Sequence, residues 1–301
     1  MPTTPVPHKL LALAAGGMVG DVNFIENELL GSDPNPRDVR TGRQTAAGEF
    51  GFYPNEKSAA WLAEFMLGVR DNGTGAGPFI STSKLSSGRL PSWSIEESED
   101  LQAATQYKQT TGARVDKVTI DFADQGFLMY KTSLLAKGVT LTPTPMTGTP
   151  VDWAEDPCFD HLEMTVLKLA GTDFLQAMTG SIDVAHNHFP DHFVAMGGGV
   201  RRSLPRRRAK VTGKVKTFFE DMVLYNLALA GTYTTLELEW SNGTYGINIL
   251  LPRILFKRTD PKLVDGPADI EFAFEASKDA TLATSIRAIT TTPLSDAILD
   301  A

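Results

Sequence analysis

The sequence predicts a mainly β protein with short helices, built from two similar halves that each carry one flanking helix. Three observations lead there. Several segments alternate apolar and polar residues with the period of a half-buried strand. Two short stretches have helical spacing and each is closed by a glycine. The glycine landmarks also recur: Gly48 and Gly213 are 165 positions apart, Gly68 and Gly231 163 apart. Such near-constant spacing is the mark of a duplication.

The elements follow in chain order. Leu10 to Ala15 is apolar, with only His8 and Lys9 before it. It is expected to be a first strand or arm, ended by a Gly16-Gly17 turn, in preference to a signal-peptide core. Residues 45–53 are expected to form a strand. A helix over 58–67 follows, with Trp61, Leu62, Phe65 and Met66 at helical spacing and Gly68 at the C-cap. Residues 69–92, rich in Gly and Ser, predict a long loop. Residues 93–97, 114–122 and 127–136 predict strands. The proline-bearing stretch 140–157 (Pro143, Pro145, Pro150, Pro157) divides the chain into halves 1–150 and 151–301. The second half resumes near Phe174. Lys210–Lys216 alternates as a strand, Asp221–Ala230 predicts a helix capped by Gly231, and Thr234–Trp240 alternates strictly. Asn242-Gly243 is a hairpin signal leading into Tyr245–Leu251. Asp269–Glu275 is a last strand, and 286–301 a terminal arm.

Composition narrows the function. Apolar residues make up 42% of the 301, enough for a large core. The net charge of −8 speaks against a protein that grips nucleic acid, which needs clustered cations for phosphate. It suits a surface past which DNA slides. Cys158 is the one cysteine, so no intramolecular disulfide forms and a reducing compartment is expected. No apolar run approaches the ~20 residues of a membrane helix, and no membrane or cofactor is expected.

Few residues offer chemistry. His186, His188 and His192, with Asp183 and Asp191, form the one candidate metal cluster. A metal-dependent enzyme is the reading it would support, but a solvated loop or subunit contact is favoured. Met196–Val200 is glycine-rich without the Lys-Ser/Thr of a phosphate loop. Ser81 and Lys84 have the spacing of a nucleophile pair without companion motifs. The basic segment holding Arg201, Arg202, Arg206, Arg207 and Arg208, and its counterpart with Arg40 and Arg43, is expected at a subunit interface. Arginine forks suit repeated carboxylate contacts. Glu237, Glu239, Glu271 and Glu275 lie on the polar faces of alternating strands and are candidates to line an acidic lumen.

Taken in order, these landmarks resemble a known family. An acidic-polar start (Asn23–Leu29), an Arg/Gly approach (Arg37, Arg40, Gly42, Arg43), a Gly-bearing strand (Gly48–Tyr53) and a helix ending Phe65-Met66-Leu67-Gly68 are similar to phage tail tube proteins. The second half adds Leu204-Pro205-Arg206-Arg207-Arg208, Val211-Thr212-Gly213, Phe218–Asp221 and Leu251-Pro252-Arg253-Ile254. The resemblance covers roughly residues 20–140 and 174–280. It implies a duplicated tail-tube-type β-barrel or sandwich, non-enzymatic, whose copies close into rings and stack into a hollow conduit. The chain itself is the implied main partner, in rings of three chains imitating six subunits. Tail terminator, tail tip and tape measure proteins are implied too, with transient passage of DNA. The implied place is the virion tail, assembled in the host cytoplasm. The inner tube of a contractile injection system is the related alternative.

Overall fold

A computed structural model describes residues 9–11, 13–26, 39–72, 77–85, 90–101, 104–146, 151–154, 156–193, 199–218, 222–259 and 269–295. The first half contains β1 (Lys9–Leu10), β2 (Leu13–Glu26), β3 (Val39–Phe52), α1 (Ala59–Leu67), β4 (Gly68–Asn72) and β5 (Phe79–Leu85). It continues with β6 (Trp93–Leu101), β7 (Ala104–Ala123), β8 (Met129–Ala136) and β9 (Gly138–Thr142). Then come β10 (Val151–Asp152), β11 (Met164–Leu169), β12 (Thr172–Asp173), β13 (Ala177–Ala185) and β14 (Lys210–Phe218). The chain goes on through α2 (Val223–Ala230), β15 (Thr234–Ser241), β16 (Gly246–Phe256), β17 (Asp269–Ala276) and β18 (Arg287–Thr292).

Apart from β1 and β10, all strands join one large antiparallel network. Its spine runs β2-β3-β8-β7-β13-β14-β17-β16. One row of opposed residues crosses seven of these strands: Phe52, Tyr130, Ile120, Ile182, Gly213, Phe274 and Phe256. All but the glycine are buried apolar side chains. A strand turns alternate residues to one face, so this row and its neighbours bury one whole face of the spine. The opposite face is polar.

The glycine in that row has a steric reason. A Cβ on Gly213 would lie 2.3 Å from the Phe274 ring and 2.4 Å from Ser181 O. Gly48 in β3 meets the same kind of obstruction, since a Cβ there would lie 2.3 Å from Gly17 O.

The remaining strands flank the spine. β6 and β9 pair with the first part of β7, and β15 and β18 with the first part of β16. Beyond β18 come β5 and then β4. The buried face packs against this second set of strands, as in the edge-on contact of Phe122 with Trp240. One apolar cluster contains residues from both halves.

Helix α1 starts at an Asn55 turn, where the Asn55 side chain accepts N–H bonds from Lys57 and Ser58. It ends at Gly68, whose φ of 97° suits glycine and whose N–H bonds Glu64 O. Helix α2 ends the same way at Gly231.

The expected alternating strands and both capped helices are present. Several expectations are corrected. Residues 69–92 are not one loop, because β4 and β5 form a hairpin within them and β5 pairs with β18. Gly16 and Gly17 do not turn the chain. They lie inside β2, where a Cβ on Gly16 would strike Glu49 O. Residues 286–301 are not simply an arm, since β18 sits between β16 and β5. The second half starts before Phe174, because β11 pairs with β15 from Met164 onward. The stretch 140–157 includes the end of β9 and the buried Trp153. Residues 196–198 of the glycine-rich stretch and residues 219–221 lie outside the described residues.

Candidate functional site

The polar face of the spine is an extended polar surface whose residues are ordered by the strand register. Following the register, Glu49, Ser133, Lys117, Ala185 and Lys210 form one row across β3, β8, β7, β13 and β14. Lys131, Thr119, Asp183, Thr212 and Glu275 form the next. Asp121, Ser181, Lys214 and Ala273 follow, then Lys216 and Glu271.

The charges on this face are paired across strands. Lys117 meets Asp183 at 2.9 Å, Lys131 meets Asp121 at 2.6 Å, and Lys210 meets Glu275 at 3.3 Å. Lys214 meets Glu271 at 3.0 Å and Lys216 meets Asp269 at 2.8 Å. Thr119 adds a hydroxyl bond to Asp183. Such solvated pairs add little stability each. Their effect is on the surface potential: every one of these five lysines has a carboxylate within contact distance. Asp21 and Glu49, on β2 and β3, have no ion pair with another described residue.

Glu271 and Glu275 therefore lie on the spine's polar face. Glu237 and Glu239 do not. They belong to β15 in the flanking strands, where Asn248 Nδ2 donates to both carboxylates at 2.7 and 3.2 Å.

The arginines divide. Arg201 is 3% exposed, and its guanidinium donates to the carbonyls of Pro190, Ala46 and Ala136. It ties the β13–β14 connection to the middle of β3 and the end of β8. Burial pulls its pKa down, opposed by Asp191. Arg43 stacks over Phe193 at 4.9 Å and Arg207 over Phe189 at 3.5 Å. Arg206 is partly buried, which lowers its pKa. Arg40, Arg202 and Arg208 are exposed.

The three histidines are not drawn to a common point. His186 Nε2 bonds Met66 O at 2.7 Å, His188 Nδ1 lies 3.3 Å from Asp116, and His192 Nδ1 contacts Ser203 Oγ at 2.6 Å. Burial pushes His186 down to about 4, so it is neutral at pH 7 and Nε2 carries the donated proton. Among the described residues no group of three His, Cys, Asp or Glu side chains is placed to hold a metal ion. Ser81 is buried in β5, while Lys84 pairs with Asp71.

Asp116 is the residue the sequence did not single out. It occupies the bulge between Val115 and Lys117 in β7. Its carbonyl takes the His186 N–H and its carboxylate the His188 N–H. Burial raises its pKa, and the hydrogen bonds from His188 outweigh that and lower it.

A two-faced antiparallel sheet with one face apolar and the other an array of paired charges is a construction surface, not a catalytic cleft. Comparison with protein families settles what is constructed. The model of the family described as phage tail tube protein matches residues 2–285. The chain belongs to the phage tail tube protein family. No curated protein matches it. It is a structural subunit of the tail tube, a component of the virion tail, and not an enzyme. As a tail tube protein it assembles with further copies into the tube.

Proposed function

We propose that this tail tube protein holds two tube units in one chain, that three chains close a ring, and that the polar face of the spine lines the bore through which DNA passes. The observation that carries the proposal is an element-by-element correspondence. β2, β3, α1, β6, β7, β8 and β9 occur in the same order as β13, β14, α2, β15, β16, β17 and β18, and the strands within each set pair in the same pattern. In each set the second strand lies between the first and the fifth, and a helix follows it. In each set the third and sixth strands flank the first part of the fourth. The β4–β5 hairpin is an insertion in the first half. The halves 1–150 and 151–301 are the natural division on this reading.

Each half supplies four spine strands, so a ring that simple tubes build from six subunits needs three of these chains. A closed sheet also removes the free strand edges that would otherwise aggregate. The paired lysines suit a bore, because a bare lysine would hold phosphate by counterion release. Counting Asp21 against Lys257, Glu49 leaves this face with a small excess of negative charge. Stacked rings would meet tail terminator, tail tip and tape measure proteins at the tube's ends and within its bore.

The test uses accessibility. Ala273→Cys places a thiol on the polar face. In assembled tubes it should react with a small maleimide and be shielded from a bulky polyethylene-glycol maleimide that reacts freely with the unassembled chain. Equal reaction with the bulky reagent in both states puts the face on the outside and overturns the reading.

A further inference from the structure

The two halves meet inside the chain where β13 pairs with β7. Ala185 faces Lys117, Asp183 faces Thr119, and Ile182 faces Ile120. This is feasible because β6 stops opposite Ala113, leaving that flank of β7 open further on. The second half has the same opening. β15 stops opposite Ile254, while Lys257 N–H continues on the other flank to Ala273 O. Residues 257–259 thus correspond to 117–119. At the other end of the spine, β2 corresponds to β13 and pairs with β3 alone among the described residues. Met18 opposite Gly48 matches Ile182 opposite Gly213.

We propose that β2 of a second copy of this chain pairs antiparallel with residues 257–259, with Asp21 opposite Lys257, Gly20 opposite Arg258 and Val19 opposite Thr259. The proposal rests on the duplicated-unit reading and fixes the register of the contact that closes the ring.

Four features fit this partner. Asp21 and Lys257 are both exposed, and neither has an ion pair with another described residue. Opposite charges directly across a strand pair attract. Val19 is apolar yet 69% exposed. Met18 N–H points away from β3, as a strand-edge donor should, and in the single chain it donates to Glu97 Oε1 at 2.8 Å. That carboxylate guards the edge and has to be released when the second copy arrives. Finally, the β13–β14 connection crosses the rim of the first half, where Arg201 reaches Ala46 O and Ala136 O. The corresponding rim of the second half, around Val211 and Ala276, is an open cavity of 1140 Å³ whose lining includes Lys84, Arg206, Arg207, Arg208, Lys257 and Lys278.

Val19 and Thr259 would be a non-hydrogen-bonded pair, with Cα atoms about 4.5 Å apart, within the range a disulfide spans. The experiment oxidises tubes of the Val19→Cys/Thr259→Cys variant and maps the bridges by mass spectrometry. Thr119→Cys/Asp183→Cys, the equivalent pair within one chain, is the control. The expected result is a 19–259 bridge between chains, running as a closed three-chain species on a non-reducing gel. Charge reversal gives a second readout. Asp21→Lys and Lys257→Glu should each abolish ring formation, and the double variant should restore it. Tubes that form while the two introduced thiols stay reduced, with no rescue by the double charge-reversal variant, overturn the register and leave the tube reading standing. A parent protein that forms no rings overturns both.

Discussion

Helices α1 and α2 each follow a strand of the spine, have nearly the same length and end on a glycine cap, yet one is buried and the other is largely exposed. In α1, Ala59, Ala60, Leu62, Ala63, Phe65, Met66 and Leu67 are buried against β4, β5 and β18. In α2 only Leu224 is buried, and Val223 and Leu229 are more than half exposed. Phe218, Met222 and Tyr233 add to the apolar surface beside it. The composition of α2 is that of a buried helix. The difference lies in what covers it: α1 is roofed by the β4–β5 hairpin and by β18. On the proposed ring, a second copy provides the roof for α2. A large exposed apolar patch on a subunit that assembles is an interface waiting for its partner.

The comparison makes opposite predictions for like substitutions. Leu62→Ala in α1 should cost about 2–5 kcal/mol, the usual range for a leucine removed from a packed core, and appear as a large fall in Tm. Leu229→Ser in α2 should change the stability of the single chain by no more than about 0.5 kcal/mol while abolishing tubes in electron micrographs. Equal destabilisation by the two would break the contrast.

A pH titration sharpens it. His186 ties the end of α1 to β13 through Met66 O, and its folded pKa of about 4 lies below the ordinary 6.5. The unfolded chain therefore binds the extra proton between those values. This stability is fully present above pH 6.5 and is lost as pH falls toward 4, by about 3 kcal/mol at most. Denaturation midpoints of the parent should fall more steeply over that window than those of His186→Gln. Parallel slopes would show that the site does not titrate as described.

Smaller effects test the correspondence itself. Gly48→Ala and Gly213→Ala should each cost about 1–3 kcal/mol by overpacking, since each new Cβ meets a carbonyl across the strand pair. A large cost at one and none at the other would argue against equivalent positions. The smallest change in stability is expected from Asp269→Asn/Glu271→Gln/Glu275→Gln, because exposed ion pairs contribute about 0–1 kcal/mol each. Freed of their acids, Lys210, Lys214 and Lys216 should make assembled tubes retain DNA at low salt and release it at high salt. Unchanged retention would remove the proposed role of the pairing.

Much of this was legible in the sequence where the local pattern carries the structure. β14, β15 and β17 alternate cleanly, because one face of each meets the core. Both helices were marked by apolar spacing and a capping glycine. What was missed depends on distant partners. In β5 and β18 the buried side chains include Ser81, Ser83, Thr290 and Thr292, so there is little apolar alternation to see. These strands exist because they pair with each other across some 200 positions of sequence. β2 was masked by its glycines, whose purpose is close approach to β3. At the site, acids on polar faces were visible, but their assignment to the spine or to the flanking strands needed the register. The histidine cluster looked like a ligand set because proximity in sequence says nothing of where each ring points.

The central claim is that one chain supplies two units of the tube wall. Counting chains per ring in a cryo-electron microscopy reconstruction of the tube tests it most directly. Three chains per layer, with the two halves of each occupying nearly sixfold-related positions around the bore, is the predicted result. Six full-length chains per layer, one half lining the bore and the other outside it, would contradict it.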